Sequence, residues 1–318
     1  MDFKSVEYGE NKVILKDAKN FNIKQVFECG QCFRWERTES GSYIGVAFGK
    51  VIELAQEGND VIIYNTNKED FENIWIDYFD LERDYSKVKE ALSWDETLKS
   101  AVEFGYGIRI LNQDPFELVI SFIISARNSI PVISKTIKKI SERWGEPIEY
   151  KGNTYYSFPT PESLSKASID DIRETGASFR SKYIWDTTKN IYNCELAKKG
   201  ILDAPEEDIV EILEKYDLEK ITNMDADGCH KGLQEFMGVG AKVADCIMLF
   251  SMKKSSAFPV DVWVKRAMMH FYGADDASLN KIRIFARERF GEYSGFAQQY
   301  LFYYARENGK SCPSRSRL

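Results

Sequence analysis

Apolar and polar residues alternate over short stretches in the first hundred positions and recur at helical spacing afterwards. Stretches 32–37, 43–47, 50–55 and 60–65 are rich in β-branched and aromatic residues. Turn clusters separate them: Ser40-Gly41, Phe48-Gly49 and Glu57-Gly58-Asn59. That spacing predicts an antiparallel meander. From Lys68 the period becomes helical, and the remainder reads as almost wholly helical. Stretch 116–125 is an apolar helix opened by Asp114-Pro115, a cap followed by a first-turn proline. Stretches 130–144, 160–168, 169–175 and 182–199 keep the helical spacing. Ala204-Pro205-Glu206-Glu207 opens another helix with acid in its first turn. Strands followed by helices predict an α+β protein with segregated halves. The expected division is a β-rich domain over 1–105, an all-helical domain over 106–308 and a disordered basic tail over 309–318.

With 318 residues and 43% hydrophobic content the chain can bury a sizeable core. Its formal charge of −7 weighs against a nucleic-acid partner, because such proteins usually carry a basic surplus. It does not exclude one: phosphate contacts need only a local basic face and oriented backbone N–H groups. Residues 1–12 are mixed and charged, unlike a signal peptide, and the longest apolar run, 118–124, is too short to span a bilayer. Six scattered cysteines argue for a reducing, cytoplasmic setting. Cys29 and Cys32 form a lone C-x-x-C without a second pair, and His230 and His270 are the only histidines, so neither metal nor cofactor is expected.

Candidate chemistry concentrates in Phe236-Met237-Gly238-Val239-Gly240-Ala241-Lys242-Val243-Ala244-Asp245-Cys246. Gly238 and Gly240 bracket a tight turn between two helices. Either they serve packing, or they let the N–H groups at the start of the second helix approach an anion. Lys242 falls in the first turn of that helix, where the partial positive charge favours a neutral amine, the form a nucleophile needs. A solvated surface lysine is the alternative. Asp261, in Pro259-Val260-Asp261-Val262, precedes a further helix. Its position suits an N-cap, and equally a carboxylate that stabilises a developing cation.

The string G-V-G-x-K-V-A-D-C followed by P-V-D resembles the helix–hairpin–helix DNA glycosylases of the 8-oxoguanine branch. Further segments match in the family's order: Gly30-Gln31-Cys32-Phe33-Arg34-Trp35, Tyr78-Phe79-Asp80-Leu81, Gln113-Asp114-Pro115, Phe179-Arg180, and Gln298 with Phe302. The resemblance implies a base-excision repair glycosylase with lyase activity on double-stranded DNA containing oxidised guanine, acting as a monomer. Lys242 would attack the sugar and Asp261 would assist. Cys246 and Phe302 would flank an extruded base, Gln298 would read its Watson–Crick edge, and the Gly30 carbonyl would accept the N7 hydrogen that 8-oxoguanine has and guanine lacks. One such contact is worth ~1–3 kcal/mol. Gly238, Val239 and Gly240 would clamp phosphate. Arg127, Asn128, Phe179 and Arg180 would support the opened duplex, with Phe179 as the wedge.

The chain departs from the family at four places. Arg127 stands where an asparagine is usual and Val132 where many members carry an arginine that reads cytosine. Trp263 replaces a histidine, and Met237 replaces the hairpin proline. The first two predict weakened preference for cytosine opposite the lesion. Two alternatives stay open: a related glycosylase acting on ring-opened purines, and a non-catalytic helix–hairpin–helix DNA-binding protein.

Overall fold

The computed structural model of the chain describes residues 1–274 and 277–309. Six short strands form one antiparallel sheet: β1 Ser5–Gly9, β2 Lys12–Lys16, β3 Trp35–Arg37, β4 Tyr43–Ala47, β5 Lys50–Glu57 and β6 Asp60–Tyr64. Their spatial order is β1-β2-β6-β5-β4-β3. Register aligns Val13, Ile63, Leu54 and Tyr43 in one row across four strands, all buried. Alternation along each strand turns such rows toward the core.

The meander is as expected from β4 to β6, whereas β3 begins at Trp35 rather than at residue 32. The hairpin β1–β2 was not foreseen. Strand β1 lies at the sheet edge with only Val6 partly covered, so its charged residues hide the alternation. Beneath the sheet, helix α1 (Ile23–Glu28) buries Ile23, Val26 and Phe27. Trp35 stacks on Phe27 at 4.0 Å between centroids and donates Nε1–H to the Tyr78 hydroxyl at 2.8 Å. Its ring lies across Gly45, where a Cβ would come within 2.2 Å of it.

The helical part is built on α2 (Pro115–Ser125), α3 (Ile130–Trp144), α4 (Ser181–Lys198), α5 (Ala226–Leu233), α6 (Ala241–Ser251), α7 (Val262–Tyr272), α8 (Leu279–Phe290) and α9 (Ser294–Gly309). Asp114 caps α2 by accepting the Glu117 N–H at 2.8 Å, with Pro115 in the first turn. The helix expected over 160–168 is shorter, Pro161–Ser165, and that expected over 169–175 is α-helical over Ile169–Ile172 and continues as a π-turn, Arg173–Ala177, which Gly176 breaks at φ +100°. A second hairpin, β7 Pro147–Tyr150 with β8 Asn153–Tyr156, interrupts the otherwise helical region. Its turn, Lys151-Gly152, has two positive φ values, the geometry favoured between twisted strands. Tyr150 and Lys151 fasten it to Glu53 of β5 at 2.9 and 2.5 Å. The expected disordered tail falls on 310–318, outside the described residues, and Gly309 closes α9.

Two buried clusters result, one under the sheet and one among the helices. Residues 85–102, from the helices Tyr85–Leu92 and Glu96–Phe104, contribute to the helical cluster. Cys29 belongs to the helical cluster and Cys32 to the sheet cluster, so the turn between them spans the seam. Arg109, 1% exposed, crosses the same seam. It donates to Asp2 at 2.9 Å, to the Phe79 carbonyl at 3.0 Å and to the Asp80 carbonyl at 2.5 Å, and lies over the Tyr85 ring at 4.1 Å. Arg109→Met leaves the buried Asp2 without its counter-charge, holding only the Tyr85 N–H, and the Phe79 carbonyl without a donor, so a loss of ~3–5 kcal/mol is expected in chemical denaturation. A loss below about 1 kcal/mol, the worth of an exposed pair, would show that the seam does not depend on this charge.

Candidate active site

The glycine turn joins α5 to α6. Gly238 adopts φ +88°, and a Cβ there would stand 2.7 Å from the Tyr183 ring, so conformation and space both demand glycine. Gly240 differs: its backbone is extended, and a Cβ would meet no protein atom. Gly240 is the N-cap of α6, and no side chain caps that helix. The first-turn N–H groups thus lie at the open side of the turn, where the helix carries partial positive charge. Val239 is buried and anchors the turn by donating its N–H to the Phe236 carbonyl at 3.0 Å.

Lys242 follows in the first turn of α6, partly buried, with Nζ 5.5 Å from the Phe122 ring centroid. One turn on, Cys246 is 3% exposed. Burial pushes its thiol up to about 11, against the pull of the neighbouring Lys242 amine, so it stays a neutral sulfur. Asp261 caps α7 by accepting the Val264 N–H at 2.8 Å. Burial raises its carboxyl above the usual carboxylate range, while the Val264 bond and the charge of Lys242 act in the opposite sense. Amine, thiol and carboxylate thus share one electrostatic neighbourhood.

The expected base-binding residues Gln298 and Phe302 lie on α9, which packs against α7. Gln298 is 4% exposed, and its Oε1 has no hydrogen-bond partner among the described residues. Such an orphaned buried acceptor costs free energy unless a ligand satisfies it. Phe302, one turn further along α9, lies against Gly30: a Cβ on Gly30 would come within 3.0 Å of its ring. Gly30 has φ +85°, a second position where only glycine sits without strain. Around it the carbonyls are spoken for. Arg306 donates to Glu28 O at 2.5 Å, Gln299 to Cys29 O at 2.7 Å and Gln113 to Gln31 O at 2.9 Å. The Gly30 carbonyl accepts no hydrogen bond from the described residues.

The other expected DNA-contacting residues divide. Arg127 is exposed at φ +53° in the loop between α2 and α3. Asn128 donates to the Ile124 carbonyl at 3.2 Å, and Phe179 is 54% exposed with its edge toward Tyr183. Arg180 departs from expectation. It is 6% exposed and turned inward, donating to the Ala126 carbonyl at 3.0 Å and to the Arg127 carbonyl at 3.2 Å. It holds the loop that presents Arg127 through Nε and Nη2. Val132 is exposed on the first turn of α3.

Other supporting residues were not singled out from the sequence. Arg283 binds Asp245 twice, at 2.6 and 2.9 Å, and His230 Nε2 lies 3.2 Å from the Ala241 carbonyl. Together they brace α6 against α8 and α5. Asp245 sits within the quoted motif, but its long-range partner leaves no local signal. Surface cavities of about 530 and 500 Å³ lie elsewhere, and neither is lined by Lys242 or Asp261.

Comparisons with known proteins agree with this arrangement. Residues 13–119 match the family described as 8-oxoguanine DNA glycosylase, N-terminal domain, and residues 120–291 the HhH-GPD superfamily base excision DNA repair proteins. A probable N-glycosylase/DNA lyase of Methanothermobacter thermautotrophicus is 32% identical over 77% of this chain and 76% of its own. The N-glycosylase/DNA lyase OGG1 of Arabidopsis thaliana is 30% identical over 87% of this chain and 75% of its own. The crystal structure of Clostridium acetobutylicum 8-oxoguanine glycosylase/lyase, in complex with double-stranded DNA containing cytosine opposite 8-oxoguanine, superposes with a TM-score of 0.89. It shares 54% identity over 97% of this chain and all of that one. The chain therefore belongs to the HhH-GPD superfamily of base excision DNA repair proteins, in the branch that carries the 8-oxoguanine DNA glycosylase N-terminal domain.

Proposed function

We propose that this protein is a bifunctional DNA N-glycosylase and abasic-site lyase that removes 8-oxoguanine from duplex DNA. The observation that carries the reading is that Lys242, in the first turn of α6, and Asp261, the cap of α7, feel each other's charge, while Gly30 O and Gln298 Oε1 have no hydrogen-bond partner among the described residues. An amine cannot reach C1′ past a stacked pair, so the nucleotide must leave the helix. Lys242 Nζ then attacks C1′, the bond to the base nitrogen breaks and the purine departs with a proton. Sugar opening gives a C1′=N Schiff base. Loss of a C2′ proton and rupture of the C3′–O bond nick the strand. Asp261, held by the Val264 N–H, stabilises positive charge at C1′. Gly30 O suits a purine with hydrogen on N7, a class that includes ring-opened purines as well. No described helix is long and apolar enough to cross a membrane.

The grip on DNA rests on the glycine turn and on Arg127, Asn128 and Phe179 rather than on net charge, and the inward Arg180 acts through the loop. Val132 has no donor for cytosine and Arg127 is longer than asparagine, which favours weak discrimination at the opposite base.

Lys242→Gln should abolish borohydride trapping on lesion-containing duplex and lower excision by about a thousandfold or more, with binding largely kept. Trapping by that variant would remove the lysine from its role. Gly240→Ala should leave the melting temperature unchanged yet weaken duplex binding about tenfold, because its methyl faces only the phosphate approach. Gly238→Ala should lower both, since its methyl meets Tyr183. Equal effects of the two variants would contradict the phosphate clamp. Across a panel of opposite bases, kcat/KM for lesion:C should exceed that for lesion:A by well under several hundredfold, as about one lost contact implies. A larger ratio would refute the weakened cytosine preference.

A further inference from the structure

Arg306 lies one turn beyond Phe302 on α9, in line with Gln298 and Phe302 at four-residue intervals. Its guanidinium carbon is 5.2 Å from the Phe302 ring centroid, and Nη2 donates to the Glu28 carbonyl at 2.5 Å. A Cβ on Gly30 would stand 3.0 Å from the Phe302 ring and 3.4 Å from Arg306 Nη1. Ring, guanidinium and turn therefore meet at one point. The side chain is only 14% exposed, and its charge is felt at Asp261 and Cys29. Two residues of α9 thus hold consecutive carbonyls, Arg306 that of Glu28 and Gln299 that of Cys29, and leave the third open.

We propose that Arg306 is a positioning residue for lesion recognition, fixing the Gly30 carbonyl and the Phe302 ring as one unit. The inference rests on the reading of Gly30 and Phe302 as base-binding groups. A glycine at φ +85° can swing its carbonyl at little cost, and hydrogen bonds on the two preceding carbonyls restrain it. Arginine suits the task because its planar fork binds an oxygen while its face stacks on a ring. Attack and elimination at the sugar use Lys242 and Asp261. On a site that has already lost its base, Gly30 and Phe302 have nothing to read.

Two assays on the same duplex separate the roles: single-turnover excision of 8-oxoguanine, and cleavage at a preformed abasic site. Arg306→Met should slow excision by about 10- to 100-fold, the scale of a misplaced recognition group, while abasic cleavage changes less than about threefold. Arg306→Lys retains charge and one donor and should recover part of the excision rate, with abasic cleavage unchanged. Equal losses in the two assays would overturn the proposal in favour of a general structural or charge role. Unchanged excision by Arg306→Met would overturn it outright. Wild-type enzyme that cleaves the abasic site but excises no 8-oxoguanine would overturn the substrate reading itself, and this inference with it.

Discussion

The site depends on one turn being held at the junction of two cores. Residues 29–32 leave the helical cluster at Cys29 and enter the sheet cluster at Cys32. Gln31, fully buried between them, donates to the Val26 and Arg109 carbonyls at 2.9 and 2.7 Å and accepts the Leu111 N–H at 2.9 Å. A side-chain amide satisfied on both ends fixes the backbone as firmly as a strand ladder does. The Gly30 carbonyl accepts no hydrogen bond from the described residues, and the missing Cβ lets an aromatic ring approach. Precise placement matters here because the chemical difference being read is a single hydrogen atom. If the turn wandered by an ångström, the same carbonyl would have no preference to express.

The reactive pair is built on a different economy. Lys242 and Asp261 each occupy a helix start, so the backbone orients them, and burial intensifies the interaction between them. A carboxylate is tolerated in this partly apolar site because it caps α7. Cys246 contributes shape and polarizability; with its thiol pushed up by burial it does not compete as a nucleophile. An acidic chain can hold DNA on these terms, since the uncapped N–H groups of α6 supply local positive potential independent of the net charge.

Much of this was legible beforehand where local chemistry carries the signal. Asp114-Pro115 announces the start of α2, and Gly238 marks a turn that the Tyr183 ring makes obligatory. The catalytic and base-binding candidates came from motif order; the fold sets Lys242, Cys246 and Asp261 within reach of each other's charge and Phe302 against Gly30. What stayed hidden depends on contacts far apart in sequence. Nothing near Arg306 announces a bond to Glu28, 278 residues away, and nothing near Arg283 points to Asp245. The inward bonds of Arg180 were hidden for the same reason: the carbonyls it binds, those of Ala126 and Arg127, lie 54 and 53 residues away. The hairpin of β1 and β2 was missed because edge strands suppress alternation, and that of β7 and β8 because its anchor, Glu53, belongs to another part of the chain.

The two kinds of recognition are separable in construction. On the proposed reading, recognition of the damaged base draws on the half-buried Gly30 and on the buried Cys246 and Gln298, held by core packing and by bonds to neighbouring carbonyls. On the same reading, the opposite strand falls to the loop between α2 and α3 and the first turn of α3, where Arg127 and Val132 are exposed and Arg180 and Asn128 restrain the loop backbone from beneath. A substitution in the first set disturbs the core as well as the chemistry. One in the second changes surface contacts at small cost, because exposed positions rarely alter stability by more than about 0.5 kcal/mol. On that reading, selectivity for the partner base can drift through Arg127 and Val132 while the groups proposed to recognise and cut at the lesion stay unchanged.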